Sequence, residues 1–469
     1  MSSCINQKQD QSPQSLKFLK SKPTQYYEDY SHIQYAPTKD TIFLIGGLTI
    51  IQDRIIESAL SSLGFHFVAL PNPTFESFQL GKAYGNKAQC NPTYFTVGNL
   101  IKYLIHLRDD CNIPTKEIIK KYVFLTAGGC GPCRFGMYVT EYKKALKDAG
   151  FEGFRITSFE HDKGIFQGEN LDNTLINYTP KFFITLIKAV LIGDLLNLKA
   201  HQIRPYEITK GSTNQALKEC QDIISQAFKT HSNIPKALYK CQQLFSNIEI
   251  DDTQIKPKVL ITGEFWAAMT QGDGNYNLHK FLEEQGAQVI PQPVLNRLLL
   301  SLWEAKYNLE NKTKLTSTYQ NYINFNTTKT KLLLKLAKYA INSHIWLYAR
   351  ILKIKDFDIP DMDYLASLAK DYYPIESNGG EGHLEVAHLL ESIKHNIAHL
   401  VISIKPFGCM PSSSVSDGIQ SLVTTHYPEA NFISVETSGE GAANFYSRIQ
   451  MALFKATQQA QKESQNATK

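Results

Sequence analysis

The sequence predicts an α/β fold with two doubly wound parallel-sheet domains that face a shared cleft and carry helical insertions. Three observations support this prediction. Short apolar runs alternate with helical patterns of roughly a dozen residues, which is typical of βαβ units. A glycine ends the first apolar run of each half. Each half then places a cysteine loop directly after a later apolar run.

The first α/β domain is predicted over residues 39–180. Its expected strands are the apolar runs at 42–46, 66–70, 122–126 and 154–159. Residues 1–38 are rich in Gln, Ser, Lys and Tyr without hydrophobic periodicity, so they predict a flexible N-terminal arm. A helical connecting region is predicted over 181–255.

The second α/β domain is predicted over residues 256–455, and a polar tail follows over 456–469. Its expected strands are the runs at 259–263, 288–291, 400–404 and 432–435. A helical insertion is predicted over 295–370. Its basic residues favour a solvated helix face over a basic docking surface; they are Lys329, Lys331, Lys335 and Lys338.

Composition excludes several classes of protein. The 49 basic and 44 acidic side chains give a net charge of only +5 over 469 residues, so we expect no nucleic-acid partner. The most apolar segment, 182–198, is interrupted by Lys188 and Asp194, which predicts a buried helix and no membrane partner. Met1 to Asp10 lacks the pattern of a signal peptide. We therefore expect a cytoplasmic protein with reduced cysteines.

The sequence Cys-Gly-Pro-Cys at 130–133 is the most informative motif. It directly follows a predicted strand and opens a predicted helix, and α/β proteins bind ligands at this edge of a parallel sheet. The surrounding glycines let the backbone approach a bulky group closely. Backbone N–H groups turned toward that group can donate hydrogen bonds to cluster sulfides. The loop therefore predicts a redox or metal site.

Other interpretations of this loop remain open. A thioredoxin-type dithiol also uses Cys-Gly-Pro-Cys at a helix start, but an aromatic residue usually precedes it, whereas Gly128 and Gly129 stand here. A nucleotide loop would need a Gly-Lys-Ser/Thr ending, which this loop lacks. A zinc site shares the CxxC spacing and stays possible on these residues alone.

Two further cysteines lie on similar loops. Cys90 precedes a predicted helix start, where the helix dipole favours a thiolate, although taken alone it fits a buried structural cysteine. Cys409 follows an apolar strand in a loop stiffened by prolines. Because such loops recur, we predict an iron–sulfur cluster in the cleft, with the ligands Cys90, Cys130, Cys133 and Cys409. We expect a structural role for the remaining cysteines, Cys4, Cys111, Cys220 and Cys241.

Three acidic residues are candidates for catalysis. Glu264 and Asp273 follow the first strand of the second domain and would face the cleft, where they could orient a substrate or partner. Capping of the loop by Asp273 and Asn275 is the alternative interpretation. Glu381 belongs to a glycine-rich turn before a helix. The spacing of Glu381, His383 and Glu385 is not that of a helical zinc motif, so a hydrogen-bonded loop is the favoured interpretation.

At these residues the chain resembles the 2-hydroxyacyl-CoA dehydratase superfamily. It is most similar to stand-alone proteins described as 2-hydroxyglutaryl-CoA dehydratase components or activators. The resemblance covers about residues 39–455 and depends on motifs in a fixed order. These motifs are Gln89-Cys-Asn-Pro-Thr93, Thr126-Ala-Gly-Gly-Cys-Gly-Pro-Cys-Arg-Phe-Gly136, Ile203-Arg-Pro-Tyr-Glu207, Gly263-Glu-Phe-Trp266, Gly272-Asp-Gly-Asn-Tyr276 and Pro406-Phe-Gly-Cys-Met-Pro411.

The resemblance implies a specific chemistry. In this superfamily α/β domains enclose a [4Fe–4S] cluster, or a double-cubane cluster in some members. A separate ATPase activase injects one electron, and a ketyl radical then permits loss of a hydroxyl from an acyl-CoA substrate. The implied partners are a related dehydratase-like subunit or a second copy, together with the activase. A lyase or reductase component is therefore the implied activity.

Two departures from the family pattern refine this expectation. Ile45-Gly-Gly-Leu-Thr49 lacks the acidic residue of the activase phosphate loop, so the chain resembles the form without an ATPase domain. Dehydratase subunits commonly use three cysteines per cluster and leave one iron open, whereas Cys133 offers a fourth ligand. A saturated cluster would favour the alternative function, a non-catalytic electron-relay or assembly subunit.

Overall fold

Eight strands form two separate, all-parallel, four-stranded sheets. The structure is a computed structural model that describes residues 40–128, 133–160, 179–316, 325–377 and 379–467. Within these residues the strands are β1 (Ile42–Ile45), β2 (His66–Ala69), β3 (Tyr122–Gly128), β4 (Arg155–Glu160), β5 (Lys258–Gly263), β6 (Gln288–Ile290), β7 (Leu400–Pro406) and β8 (Phe432–Thr437). The predicted α/β class with two parallel sheets is therefore confirmed.

Helices surround both sheets. In the first half they are α1 (Ile50–Ser61), α2 (Phe75–Tyr84), α3 (Asn91–Ile105), α4 (Thr115–Lys121) and α5 (Tyr138–Asp148). A connecting layer follows with α6 (Pro180–Ile203), α7 (Ser212–Lys229) and α8 (Ile234–Ser246). In the second half they are α9 (Phe265–Met269), α10 (Leu278–Glu284), α11 (Val294–Thr316), α12 (Phe325–Leu352), α13 (Met362–Ala369), α14 (His383–His395), α15 (Met410–Ser414), α16 (Gln420–His426) and α17 (Ala442–Ala467).

The two sheets have the same topology. The strand orders are β2-β1-β3-β4 and β6-β5-β7-β8, and every neighbouring pair is parallel. The central strands β3 and β7 are each followed by a cysteine loop, and β5 is followed by Glu264. Because the carboxyl ends of parallel strands meet at one edge of a sheet, these residues lie where such folds bind ligands.

Alternate residues of the strands pack on opposite faces of the sheet, as strand geometry requires. Phe43 and Ile45 of β1 join one apolar core, whereas Ile42 and Leu44 join another. Both faces of the first sheet are therefore covered by helices, as is usual for parallel sheets. The first of these cores continues through α6 and α11 to Val401 of β7, so it is shared by both halves.

Helix α6 contains the apolar segment that the sequence predicts to be a buried helix. Leu191 and Leu195 of this helix are fully enclosed, and Asp194 is buried between them. In the part of the chain that the structure describes, no helix combines the length and the apolar character needed to cross a membrane.

Candidate functional site

The Cys90 loop is held against the first sheet and the second half at once. Cys90 is buried and forms the N-cap of α3, with its Sγ 3.2 Å from the Thr93 hydroxyl and 3.2 Å from the Tyr138 hydroxyl. The next residue, Asn91, donates its backbone N–H to the Phe407 carbonyl at 3.1 Å. Its side-chain amide donates to the Thr437 carbonyl at 2.6 Å.

The Cys409 loop lies directly on the Cys90 loop. Cys409 follows β7, is buried, and is the N-cap of α15. Gly408 before it has φ of +77°, and a Cβ built there would lie 3.3 Å from the Cα of Cys90. A glycine suits this position because a side chain would be strained in the left-handed region and would press on the neighbouring loop. Two of the predicted ligands are thus on loops in contact.

Cys133 approaches the same place from the first sheet. It is half-buried and is the N-cap of a short 3₁₀ turn, Arg134–Met137, and its Sγ accepts the Phe135 N–H at 3.5 Å. The Arg134 guanidinium donates to the Ala88 carbonyl in the Cys90 loop. Cys130, the fourth predicted ligand, lies outside the described residues.

The three predicted ligands that the structure describes share one local feature: each is the N-cap residue of a helix or helical turn. The first N–H groups of a helix have no intrahelical partner and carry partial positive charge, so they stabilise a thiolate or a bound anion. Thiols in this setting fit the donor chemistry of an iron–sulfur cluster. Within the described residues, no group of three or more His, Cys, Asp or Glu side chains has the arrangement of a metal site.

The thiols of Cys133 and Cys409 are not activated as nucleophiles. Burial, with smaller contributions from the nearby Glu264 and Cys90, raises the pKa of Cys133 to about 11 although the Phe135 N–H opposes the shift. Burial also raises the pKa of Cys409 well above its ordinary value, with Glu264 adding to the shift. Both thiols therefore hold their protons at neutral pH unless a positively charged partner binds them.

Two of the predicted acidic residues, Glu264 and Glu381, lie beside the cysteines. Glu264 is the N-cap of α9 and accepts the backbone N–H groups of Trp266 and Ala267 at 3.2 and 2.8 Å. Glu381 is 3% exposed, and burial together with the charge of Glu264 raises its pKa to about 7 although Arg297 opposes the shift. Among the described residues, Glu381 Oε2 has no hydrogen-bond partner.

A third carboxyl, Glu385, completes this group and was not among the predicted site residues. It is fully buried on α14, accepts the Ser412 hydroxyl at 2.7 Å, and has its pKa raised to about 8 by burial. Ser412 lies three residues after Cys409, and its backbone N–H favours the Cys409 thiolate while its hydroxyl donates to Glu385. Ser412 therefore connects a predicted ligand to a buried carboxyl.

Asp273, the remaining predicted acidic residue, has a different role in the structure. Its carboxylate accepts the Phe75 backbone N–H at 2.8 Å, which joins the start of α2 to the second half. The side-chain amide of Asn277 donates to its other oxygen at 3.5 Å. Asp273 thus contributes to the contact between the halves, whereas Glu264 and Glu381 belong with the cysteines.

Comparison with known proteins gives this chain no family. No protein-family model matches the sequence, and no curated protein is significantly similar to it. Its function is therefore inferred from the cysteine loops and from the buried carboxyls beside them.

Proposed function

We propose that the chain is an iron–sulfur redox protein resembling subunits of the 2-hydroxyacyl-CoA dehydratases. The proposed ligands of the cluster are Cys90, Cys130 and Cys409, with Cys133 as the fourth ligand if the cluster is saturated, and an ATP-dependent activase supplies single electrons at low potential. The observation that carries the proposal is the contact among three loops from both halves that each carry a helix-capping cysteine: the Cys409 loop touches the Cys90 loop, and Arg134 beside Cys133 donates a hydrogen bond to it.

The residues around the thiols suit this proposal. A bound cluster would supply one-electron transfer at this place. Hydroxyl groups of Thr93 and Tyr138 can donate to the Cys90 sulfur, and the Phe135 N–H already donates to Cys133. Hydrogen bonds to ligand sulfurs stabilise the more negative state and so tune the reduction potential.

The buried carboxyls favour a catalytic role over a pure electron relay. Glu381 and Glu385 hold protons close to neutral pH because burial disfavours their charged forms. Loss of a hydroxyl group as water needs a proton, and an acid with a pKa near the working pH is the effective donor. An electron relay would need no such pair of acids next to its ligands.

A dithiol function would act through the first cysteine of the motif, Cys130, which lies outside the described residues. Dithiol oxidoreductases lower the pKa of that attacking cysteine so that a thiolate forms near neutral pH. Burial raises the pKa of the second cysteine, Cys133, to about 11, and a cluster or a zinc ion would overcome this shift by binding the thiolate directly. Support for a metal site over a dithiol therefore comes from the contacts among the three cysteine loops and not from the pKa of Cys133.

The first test is the metal content of the anaerobically purified protein. We expect brown protein with about four irons per chain and an EPR signal after reduction. Replacement of Cys409 by Ser should remove most of the iron, whereas the exposed Cys111→Ser serves as a matched control and should retain it. Colourless protein that binds only zinc after anaerobic reconstitution would contradict the proposal.

A second test separates catalysis from relay. If Cys133 is a ligand, Cys133→Ser should alter the EPR signal and lower the iron content. If one iron is open, this variant should keep both the iron and the signal of the wild type. Retained iron with an unchanged signal would therefore support the catalytic form, and a changed signal would support the saturated relay.

A further inference from the structure

Helix α12 presents a long apolar surface to solvent. Leu332, Leu336, Tyr339 and Trp346 are 57%, 55%, 74% and 54% exposed. Their spacing of four, three and seven residues places them along one face of the helix. Leu333 and Leu347, each 41% exposed, widen this face. We call these six residues the α12 outer face. Contiguous exposed apolar surface of this kind marks a site of interaction.

The C-terminal turns of α12 are fixed to the protein. Ile345 and Leu352 are completely buried, and Tyr348 and Ala349 are nearly so. These residues belong to the core that both halves share. The helix is therefore anchored at its C-terminal end, where Trp346 and Leu347 lie on the outward side, and the earlier turns with Leu332, Leu336 and Tyr339 extend from this anchored end.

The charge on this helix has one sign. Over its 28 residues α12 contains no Asp or Glu, and its basic residues are Lys329, Lys331, Lys335, Lys338 and Arg350. Lys329, Lys335 and Arg350 are exposed. The Arg350 guanidinium lies 4.9 Å from the centre of the Trp346 ring, which places a cation beside the apolar face. Whatever covers the face must accept several positive charges.

Three occupants of the outer face can be compared. A second copy of the chain would bring two sets of five cations together, which is unfavourable. The cores of protein–protein interfaces are depleted in lysine, whereas this helix carries four. Helices that lie on membranes combine Leu, Trp and Tyr on one face with flanking lysines. Each lysine near an anionic bilayer adds about 1 kcal/mol of attraction.

We propose that the α12 outer face docks the protein on an anionic phospholipid surface. Leu332, Leu336 and Trp346 enter the headgroup region while the exposed cations Lys329, Lys335 and Arg350 contact lipid phosphates. The helix lies in the plane of the surface, so no membrane-crossing segment is needed. This contact departs from the sequence-based expectations of a solvated face and of no membrane partner, and it is independent of the cluster.

The proposal is tested with vesicles of pure phosphatidylcholine and with vesicles that also contain about 30% phosphatidylglycerol. We expect the full chain to co-sediment with the anionic vesicles only, and to be released as salt rises from about 0.1 to 0.5 M. Trp346 provides a second readout because the other two tryptophans, Trp266 and Trp303, are buried. Its emission should shift to the blue on binding.

Variants separate the apolar contribution from the charge. Leu332→Glu with Leu336→Glu should reduce binding at least about tenfold, as should Lys329→Glu with Lys335→Glu. Matched controls carry the same changes elsewhere: Met451→Glu with Phe454→Glu on α17, both about two-thirds exposed, and Lys280→Glu with Lys462→Glu. The controls should bind like the wild type.

Three results would overturn the proposal. The first is a wild-type chain that ignores anionic vesicles. The second is equal loss of binding in the control variants, which would indicate a general charge effect. The third is a dimer in light scattering that the Leu332 and Leu336 changes dissociate, because the face would then be an interface between copies. All four variants alter exposed side chains, so each is expected to fold.

Discussion

Asp194 of α6 joins three helices through one buried carboxyl. It accepts the Gln52 side-chain amide of α1 at 2.8 Å. It also accepts the backbone N–H groups of Val294 and Leu295 at 3.0 and 2.9 Å, at the start of α11. These bonds compensate only in part for burial, which raises the pKa of Asp194 from 3.8 to about 7. Asp194 therefore links stability to pH.

The direction of this link follows from the two pKa values. Between pH 4 and 7 the folded protein binds a proton at Asp194 that the unfolded chain has lost, so the free energy of unfolding falls as pH rises. The contribution is about 1.4 kcal/mol per pH unit. We expect Asp194→Asn to remove that part of the slope in urea unfolding measured at several pH values across this window.

The other buried acids titrate in both the wild type and Asp194→Asn. The difference between the two proteins in the slope of unfolding free energy against pH therefore isolates the contribution of Asp194. The exposed Asp252→Asn is a suitable control and should leave the slope unchanged. An Asp194→Asn protein with the slope of the wild type would show that the carboxyl is already ionised when folded.

Residue-level contacts across the chain could not be predicted from the sequence. Arg204 forms an ion pair with Glu283 at 2.9 Å, although Glu207 lies only three residues away in the sequence. Glu207 accepts the N–H groups of Gly211 and Thr213 at the start of α7. The Ser412–Glu385 bond joins residues 27 positions apart and has no local signature either. Such pairs depend on packing that single-sequence patterns do not encode.

At the scale of elements, α2 and α3 cross with their backbones in contact. A Cβ built on Gly98 would lie 1.7 Å from the Ser77 carbonyl oxygen, and one on Gly81 would lie 1.9 Å from the Tyr94 carbonyl oxygen. Only glycine permits this approach. The crossing packs Phe78 and Phe95 at 4.9 Å between ring centres, next to the helix that Cys90 begins.

We predict that Gly98→Ala separates α2 from α3 and lowers the free energy of unfolding by about 1–3 kcal/mol, the usual cost of overpacking. Urea denaturation followed by circular dichroism measures this change. Gly418→Ala is the control because no atom lies within 4 Å of its added Cβ. Equal stability of the two variants would contradict the close crossing.

Strands were more predictable than the helical insertion. All eight predicted strands agree with the structure to within two residues at each end, because short apolar runs bounded by glycine or polar turns carry a clear signal. The helical insertion predicted over 295–370 contains α11, α12 and α13 among its described residues, and the sequence did not separate these three helices. Helical periodicity identified the region, but the outward apolar face of α12 contradicts the usual rule that such a stripe faces the core.

At the scale of the whole molecule, the two sheets contribute to one apolar core and lie in the same compact unit. Each half also has a satellite core of its own. Phe151 lies in the satellite core of the first half, and Leu282 lies in that of the second. Similar strand order in the two halves would by itself suggest two independent folding units. The shared core predicts that neither half is stable alone.

We therefore expect one thermal unfolding transition for the described fold in scanning calorimetry. Phe151→Ala and Leu282→Ala each remove a fully buried side chain and should cost about 2–5 kcal/mol. The two substitutions lie in opposite halves. If the shared core couples the halves, both variants must lower the temperature of the same single unfolding peak. Independent halves would instead give two peaks, with each variant moving only one. The number of peaks thus decides whether the cysteine loops, which come from both halves, are held by one cooperative structure.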